Sequence, residues 1–395
     1  MRDEPRQPNE GYGERSVLDY DLHGRIGLRL IGASTADRSA VIRQLGTVQQ
    51  RPLLREPDLQ VRFVSRLPAP DLQFLDMQRT GFNRDGFFLF SQDGRRRKAC
   101  IPFDRLGGPC EIVVERGMKP VPLLMDAIKL SALSQGLLPL HASAFEYGGA
   151  GVLVLGWPHS GKTAALLAMV EHGAAFIGDD LVLLDPETRT IYGIAAPVEI
   201  SDWQVSQIPH LLRHVGRSRR MAWRVLAGAA QLQATVPARG PGALLSAHVT
   251  RKTVAAVQRR LRSSLPAEVI SPNVGTCVAR ARTVFFSTSH ESDDIRVRRA
   301  DTAEMTERAF RVAQHDRLSI RAHYHAYRVA FPSRRNVLLE SIEQIERDLI
   351  QRAMAELECW FVRHPRPVRF ADLHCALEHA CKETPARAAI PVGAA

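Results

Sequence analysis

The sequence predicts an α/β protein: a core in which strand, glycine loop and helix follow one another, with a β-rich N-terminal region ahead of it and a helical C-terminal region behind. Three observations carry that expectation. Residues 17–120 alternate short β-forming runs with Gly, Pro and Asp, residues 151–172 read strand, glycine loop, helix without interruption, and much of the last hundred residues spaces its apolar side chains as helices do. With 395 residues, 45% of them hydrophobic and 24% charged, the chain is long enough for two or three structural units and too apolar for wholesale disorder.

Each element follows from local chemistry. Residues 1–16 are polar and rich in Pro and Gly, a flexible tail without an apolar signal core. GRIGLRLIG, DLQVRFVSRLP, GFFLFSQDG and PCEIVVERG are expected strands, and a helix over Thr35 to Leu45 interrupts them, making 17–120 a β-rich N-terminal domain. PLLMDAIKLSALSQG (122–136) has helical spacing and stops at Gly136, opening a second domain over 121–315. That domain closes with RTVFFSTS and DIRVRRA, read as a strand pair, and a helix from about Ala303 to Ala313. Within 316–383, Leu338, Ile342, Ile345, Leu349, Met354, Leu357 and Trp360 line one long amphipathic helix and 370–381 forms a shorter one, before a frayed Ala/Pro-rich tail over 384–395.

The charge is concentrated. Between Trp203 and Ala267 there is no Asp or Glu, while eleven Lys and Arg occur, which equals the chain's whole net charge of +11. A local basic block points to a local anionic partner, or to a solvated insertion within 203–267. It contains TRKTVAAVQRRLR, an expected amphipathic helix, but only Trp203 and Trp223 as aromatics, too few for interleaved base stacking. The most apolar stretch, 121–140, carries Asp126 and Lys129 and so does not suit a membrane span. The six cysteines are scattered and read as reduced thiols, consistent with a cytoplasmic protein.

The chemistry concentrates at 141–180. Gly156-Trp-Pro-His159-Ser160-Gly161-Lys162-Thr163 fits the phosphate-binding loop pattern GxxxxGK[ST], with the buried strand GVLVLG before it and the helix TAALLAMVEHG after it. That order aims backbone N–H groups and a helix N-terminus at phosphate oxygens, with Lys162 reaching the β/γ-phosphates and the Thr163 hydroxyl on Mg²⁺. The helix carries the chain about 15 Å away and AAFIG brings it back, so Asp179 and Asp180 return to the mouth of the loop. Two adjacent carboxylates suit a division of labour, one on the metal and one accepting a proton. Gly148-Gly149 between LHASAFEY and GVLVLG signals a hairpin, and counting from that turn sets His141 opposite Gly156.

LHASAFEYGGAGVLVLGWPHSGKTAALLAMVEHGAAFIGDDLVLL resembles the catalytic core of the HPr kinase/phosphorylase C-terminal domain family, and through GWPHSGKT and FIGDD it is similar to phosphoenolpyruvate carboxykinases. The resemblance is specific over about 137–186. It implies a phosphoenolpyruvate carboxykinase-like P-loop core with a mixed sheet, and Mg-ATP-dependent transfer of the γ-phosphate to a hydroxyl of a protein, peptide or small-molecule acceptor. By that analogy Lys162 binds phosphates, Thr163 and Asp180 serve Mg²⁺, Asp179 deprotonates the acceptor, and His141 lies near the transferred phosphate, the two aspartate roles being interchangeable. Family members often assemble as homo-oligomers. GIAAPVEISDW replaces the family's E-[IV]-R-G-type segment and its PGRN-type segment is absent, so no catalytic arginine carries over and the layout looks more like the shorter HPr kinase-like proteins. The alternative is an ATP-binding or ATP-hydrolysing regulatory module that engages an anionic partner through 203–267. His374, Cys375, His379 and Cys381 lack the second ligand pair that zinc would require and read as ordinary helix residues.

Overall fold

The computed structural model describes residues 17–76, 79–225, 262–272 and 274–383. The two expected tails and most of the helix anticipated within TRKTVAAVQRRLR lie outside the described residues. The chain is α/β with mixed sheets, and it divides into two units that do not follow chain order. One takes in Met1–Gln44, Val48–Gln135 and Ser319–Glu340; the other takes in Leu45–Thr47, Gly136–Leu318 and Ser341–Ala395.

In the first unit an eight-stranded sheet is built from β1 (Val17–Leu22), β2 (Ile26–Ile31), β3 (Leu59–Val64), β4 (Gln73–Phe74), β5 (Thr80–Asn83), β6 (Gly86–Phe90), β7 (Lys98–Cys100) and β8 (Cys110–Glu115). The spatial order is β1-β2-β3-β8-β7-β6-β5-β4, parallel at β2/β3 and β3/β8 and antiparallel elsewhere. Helices α1 (Thr35–Leu45) and α2 (Leu124–Ser134) lie at the expected positions. Ile26, Leu28 and Leu30 of β2 and Leu59, Val61 and Phe63 of β3 are buried, each set lining one face of its strand.

The second unit holds β9 (Leu138–Leu140), β10 (Ser143–Tyr147), β11 (Ala150–Leu155), helix α3 (Lys162–Glu171), β12 (Ala175–Gly178), β13 (Val182–Asp185), β14 (Thr190–Gly193), β15 (Val198–Ile200), α4 (Asp202–Val205), β16 (Ser263–Leu265), α5 (Ala267–Ile270), β17 (Val278–His290), β18 (Arg296–Arg299) and α6 (Thr302–Asp316). The remaining elements are α7 (Leu318–Ala330), which belongs to the first unit from Ser319 on, α8 (Val337–Ala355), β19 (Glu358–Pro365) and α9 (Phe370–Glu383). The main sheet runs β12-β10-β11-β17-β14-β13-β9, with β19 paired to β17 and β18 to β19.

Two expectations need correction. The long helix ends at Ala355, and Leu357 and Trp360 leave it; Cys359, Trp360, Phe361 and Val362 instead form the buried run of β19, parallel to β17. A strand covered on both faces loses its period of two and reads as a continuous apolar run, which a helical template absorbs. For the same reason β17 and β18 are not partners: β19 lies between them.

Strand direction sets up the site. β11, β17 and β19 are mutually parallel, and β12 shares their direction because both it and β11 are antiparallel to β10. Four strands therefore end at one edge, where open α/β sheets place their ligands.

Candidate active site

The β10/β11 hairpin turns at Gly148 and Gly149, both with positive φ, and its register pairs Ser143 with Val154 and Tyr147 with Ala150. The ladder ends at Ser143 and Val154, and extending its count by two residues beyond that end would set His141 against Gly156. Leu155 pairs with Phe286 across the parallel β11/β17 step, so the loop leaves the sheet beside Ser287.

The loop 156–161 is held from behind. The Ser287 hydroxyl donates to the Ser160 carbonyl at 2.7 Å, and His364 Nε2 lies 2.9 Å from the same oxygen. Ser287 and His364 are 1% and 2% exposed. Gly161 has φ +104°, open to glycine and strained for any other residue, and a Cβ there would run into the His364 ring. Arg366 donates to the His159 carbonyl at 2.7 Å, and Arg262 donates to His159 Nδ1 at 2.8 Å. Sequence reasoning missed Ser143, Ser287, His364 and Arg366; the latter three stand more than 120 residues from the loop, with no local signal to mark them.

Helix α3 begins at Lys162 with no side-chain cap and no acid in its first turn. Lys162 is 7% exposed, and its ammonium donates to the carbonyls of Gly156 and Trp157 at 3.0 and 3.2 Å. Burial pulls this ammonium down to about 8, against the opposing pull of Asp179, Asp180 and Asp316. A buried cation at a helix N-terminus opposes the macrodipole, so the site is poised for negative charge.

The two aspartates end in different surroundings. Asp179 is 7% exposed; Thr163 Oγ1 donates to its Oδ2 at 2.9 Å and the Ser143 hydroxyl donates to its Oδ1. Burial pushes the Asp179 carboxyl up; the Ser143 and Thr163 hydrogen bonds and the Lys162 charge oppose that, while Asp180 adds to it. Asp180 sits at φ +70° with its side chain 76% exposed, and its Oδ1 lies 3.1 Å from His141 Nδ1. At the outer rim the Trp157 and His315 rings stack with centroids 4.2 Å apart.

The structure thus brings together His141, the loop residues Gly156, His159, Ser160 and Gly161, and Lys162, Thr163, Asp179 and Asp180. Among the described residues no group of three or more His, Cys, Asp or Glu could hold a metal ion by itself. Mg²⁺ does not need one, since it is commonly held by one or two protein oxygens with waters and phosphate oxygens completing the shell. Thr163 Oγ1 and Asp179 Oδ2, 2.9 Å apart beside the loop 156–161, are oxygens of that kind. Among the described residues no helix is long and apolar enough to cross a membrane. Comparison with models of known protein families finds no match, and a search of curated proteins finds none either.

Proposed function

We propose that this chain is a Mg-ATP-dependent kinase of HPr kinase-like type, with a phosphoenolpyruvate carboxykinase-like core, that transfers the γ-phosphate to an acceptor hydroxyl. The observation that carries this reading is the buried, uncapped Lys162 at the start of α3, facing two carboxylates in unlike environments. A purely structural helix start would place an acid or a capping hydroxyl there.

Lys162 exchanges the Gly156 and Trp157 carbonyls for phosphate oxygens, which lie where α3 points its first N–H groups. Thr163 and Asp179 would hold Mg²⁺, which when bound would supply positive charge to offset that of the phosphates. Of the two interchangeable aspartate assignments, burial supports this one: Asp179 is enclosed with the Thr163 hydroxyl, whereas Asp180 is open to an incoming acceptor. Asp180, oriented by His141, takes the acceptor proton as the new O–P bond forms; the bond between the γ-phosphorus and the bridging oxygen breaks and ADP leaves. Arg262 and Arg366, both bonded to His159, add positive charge to the rim of the loop.

The test is transfer of label from γ-labelled ATP into a lysate of the source cell by wild type, Asp179→Asn and Asp180→Asn. Asp180→Asn is expected to bind Mg-ATP as wild type does and to transfer nothing, while Asp179→Asn loses the Mg²⁺ dependence of nucleotide binding. Wild-type transfer rates in Asp180→Asn would return the base role to Asp179. Release of free phosphate alone by wild type would favour a nucleotide-driven binding module.

A further inference from the structure

We propose that the cleft between α4 and the helical residues 217–225 docks an acidic peptide segment that also carries an aromatic or aliphatic side chain, and so serves as the acceptor anchor of the site described above. The proposal rests on the kinase reading for its role and on separate observations for its chemistry. The cleft has a volume of about 350 Å³ and is lined by Asp202, Trp203, Leu212, Arg220, Trp223 and Arg224. Trp223 is 7% exposed and forms a floor, while the Trp203 ring packs edge-on against Phe370 with centroids 5.9 Å apart. Arg220 and Arg224 are four residues apart on one helix, hence on one face, and neither forms an ion pair among the described residues. Leu212, Met221 and Val225 nearby are exposed. Apolar walls beside two uncommitted guanidinium groups suit a carboxylate next to an apolar side chain.

Charge complementarity selects the occupant. No Asp or Glu occurs in the sequence from Trp203 to Ala267, and Asp202 is the only acid among the described residues that line the cleft. Single-stranded nucleic acid is a poorer match, because base stacking needs open ring faces. Trp223 is enclosed and Trp203 is already engaged by Phe370.

Position ties the cleft to the phosphate loop. Gln207, just after α4, donates to the Val368 carbonyl at 3.0 Å and accepts from the Phe370 N–H at 2.7 Å. Four residues upstream of Phe370, Arg366 bonds the His159 carbonyl of the loop. Four residues of chain span at most about 14 Å. Cleft and loop are thus both fastened to the one segment 366–370, so a peptide anchored in the cleft lies on the same side of the chain as the loop's support.

The experiment uses the full chain and a fluorescein-labelled random copolymer of glutamate and tyrosine, titrated by anisotropy at low salt. Wild type is expected to bind it, with affinity falling at least tenfold in R220Q/R224Q at unchanged melting temperature, and about fivefold in Trp203→Ala, which also melts lower because it loses the Phe370 contact but is titrated well below its melting temperature. No binding, or equal binding by R220Q/R224Q, overturns the proposal. Polyglutamate bound as well as the copolymer, with no effect of Trp203→Ala, overturns the apolar half of it. Displacement of the copolymer by an equally charged single-stranded oligonucleotide at lower concentration overturns it in favour of nucleic acid. Binding here requires neither ATP nor transfer. A chain that binds the copolymer yet phosphorylates nothing keeps the docking site and loses the kinase reading; a chain that labels a lysate protein yet ignores the copolymer does the reverse.

Discussion

Each unit contains a parallel crossover that leaves a strand through a glycine turn and enters a helix, and the two treat the helix N-terminus in opposite ways. In the first unit β2 passes through Gly32, φ +69°, into α1. Asp37, fully buried, accepts from the Ser34 N–H at 3.1 Å and from the Gly117 N–H at 2.6 Å, while its own N–H donates to Ser34 Oγ at 3.3 Å. This is a capping box, in which the chain answers the helix dipole with its own carboxylate. In the second unit β11 passes through Gly156 to Gly161 into α3, which has no cap and no acid in its first turn and carries Lys162 instead. The difference teaches that the same backbone device is answered by the chain's own carboxylate in one unit and by no side-chain cap or first-turn acid in the other.

The comparison breaks most sharply at Lys162. Lys162→Met is expected to lower phosphotransfer by roughly a thousandfold, as loss of a positioned charge stabiliser does, while raising the melting temperature of the nucleotide-free protein. Burial depresses this ammonium from 10.5 to about 8, so keeping it charged costs up to about 3 kcal/mol at neutral pH. Below about 8 the group is protonated both folded and unfolded, and the full penalty applies. Between about 8 and 10.5 the folded state sheds the proton first, so wild-type stability catches up with the variant as pH rises through that window. Denaturant melts of both proteins at pH 7 and pH 10 check this, and a gap that does not narrow would refute it.

Gly161→Ala comes next. Positive φ and the His364 ring together should cost about 3 kcal/mol in thermal unfolding and abolish saturable nucleotide binding in calorimetry. Asp37→Ala is the matched control in the other unit. It strands two N–H partners and should cost about 2 kcal/mol in denaturant melts, with the ATP dissociation constant of the folded fraction unchanged. A weakened ATP affinity in Asp37→Ala would erase the contrast between the crossovers. The smallest effect is expected of Ser287→Ala. Losing the one hydrogen bond it donates to the Ser160 carbonyl should cost about 1 kcal/mol and raise the KM for ATP more than it changes kcat.

Sequence and structure agree where chemistry is local. The bounds of α1, the hairpin register about Gly148-Gly149 and the return of Asp179 to Thr163 all follow from period, turn residues and chain length between neighbouring elements. They diverge where partners are remote. β19 was hidden because a strand buried on both faces carries no alternation, and Ser319–Glu340 carries no mark that it belongs with the first unit.

By itself, then, the sequence determined the loop, its helix and the pair of carboxylates, because glycine φ preferences, helix rise and strand reach act over a few residues. Only the tertiary structure decided how those groups differ. Whether Asp179 or Asp180 is enclosed, whether Lys162 is desolvated, and that Ser287, His364 and Arg366 brace the loop depend on which strands become parallel neighbours. Burial and hydrogen-bond partners are properties of the packed sheet edge, and no local pattern encodes them.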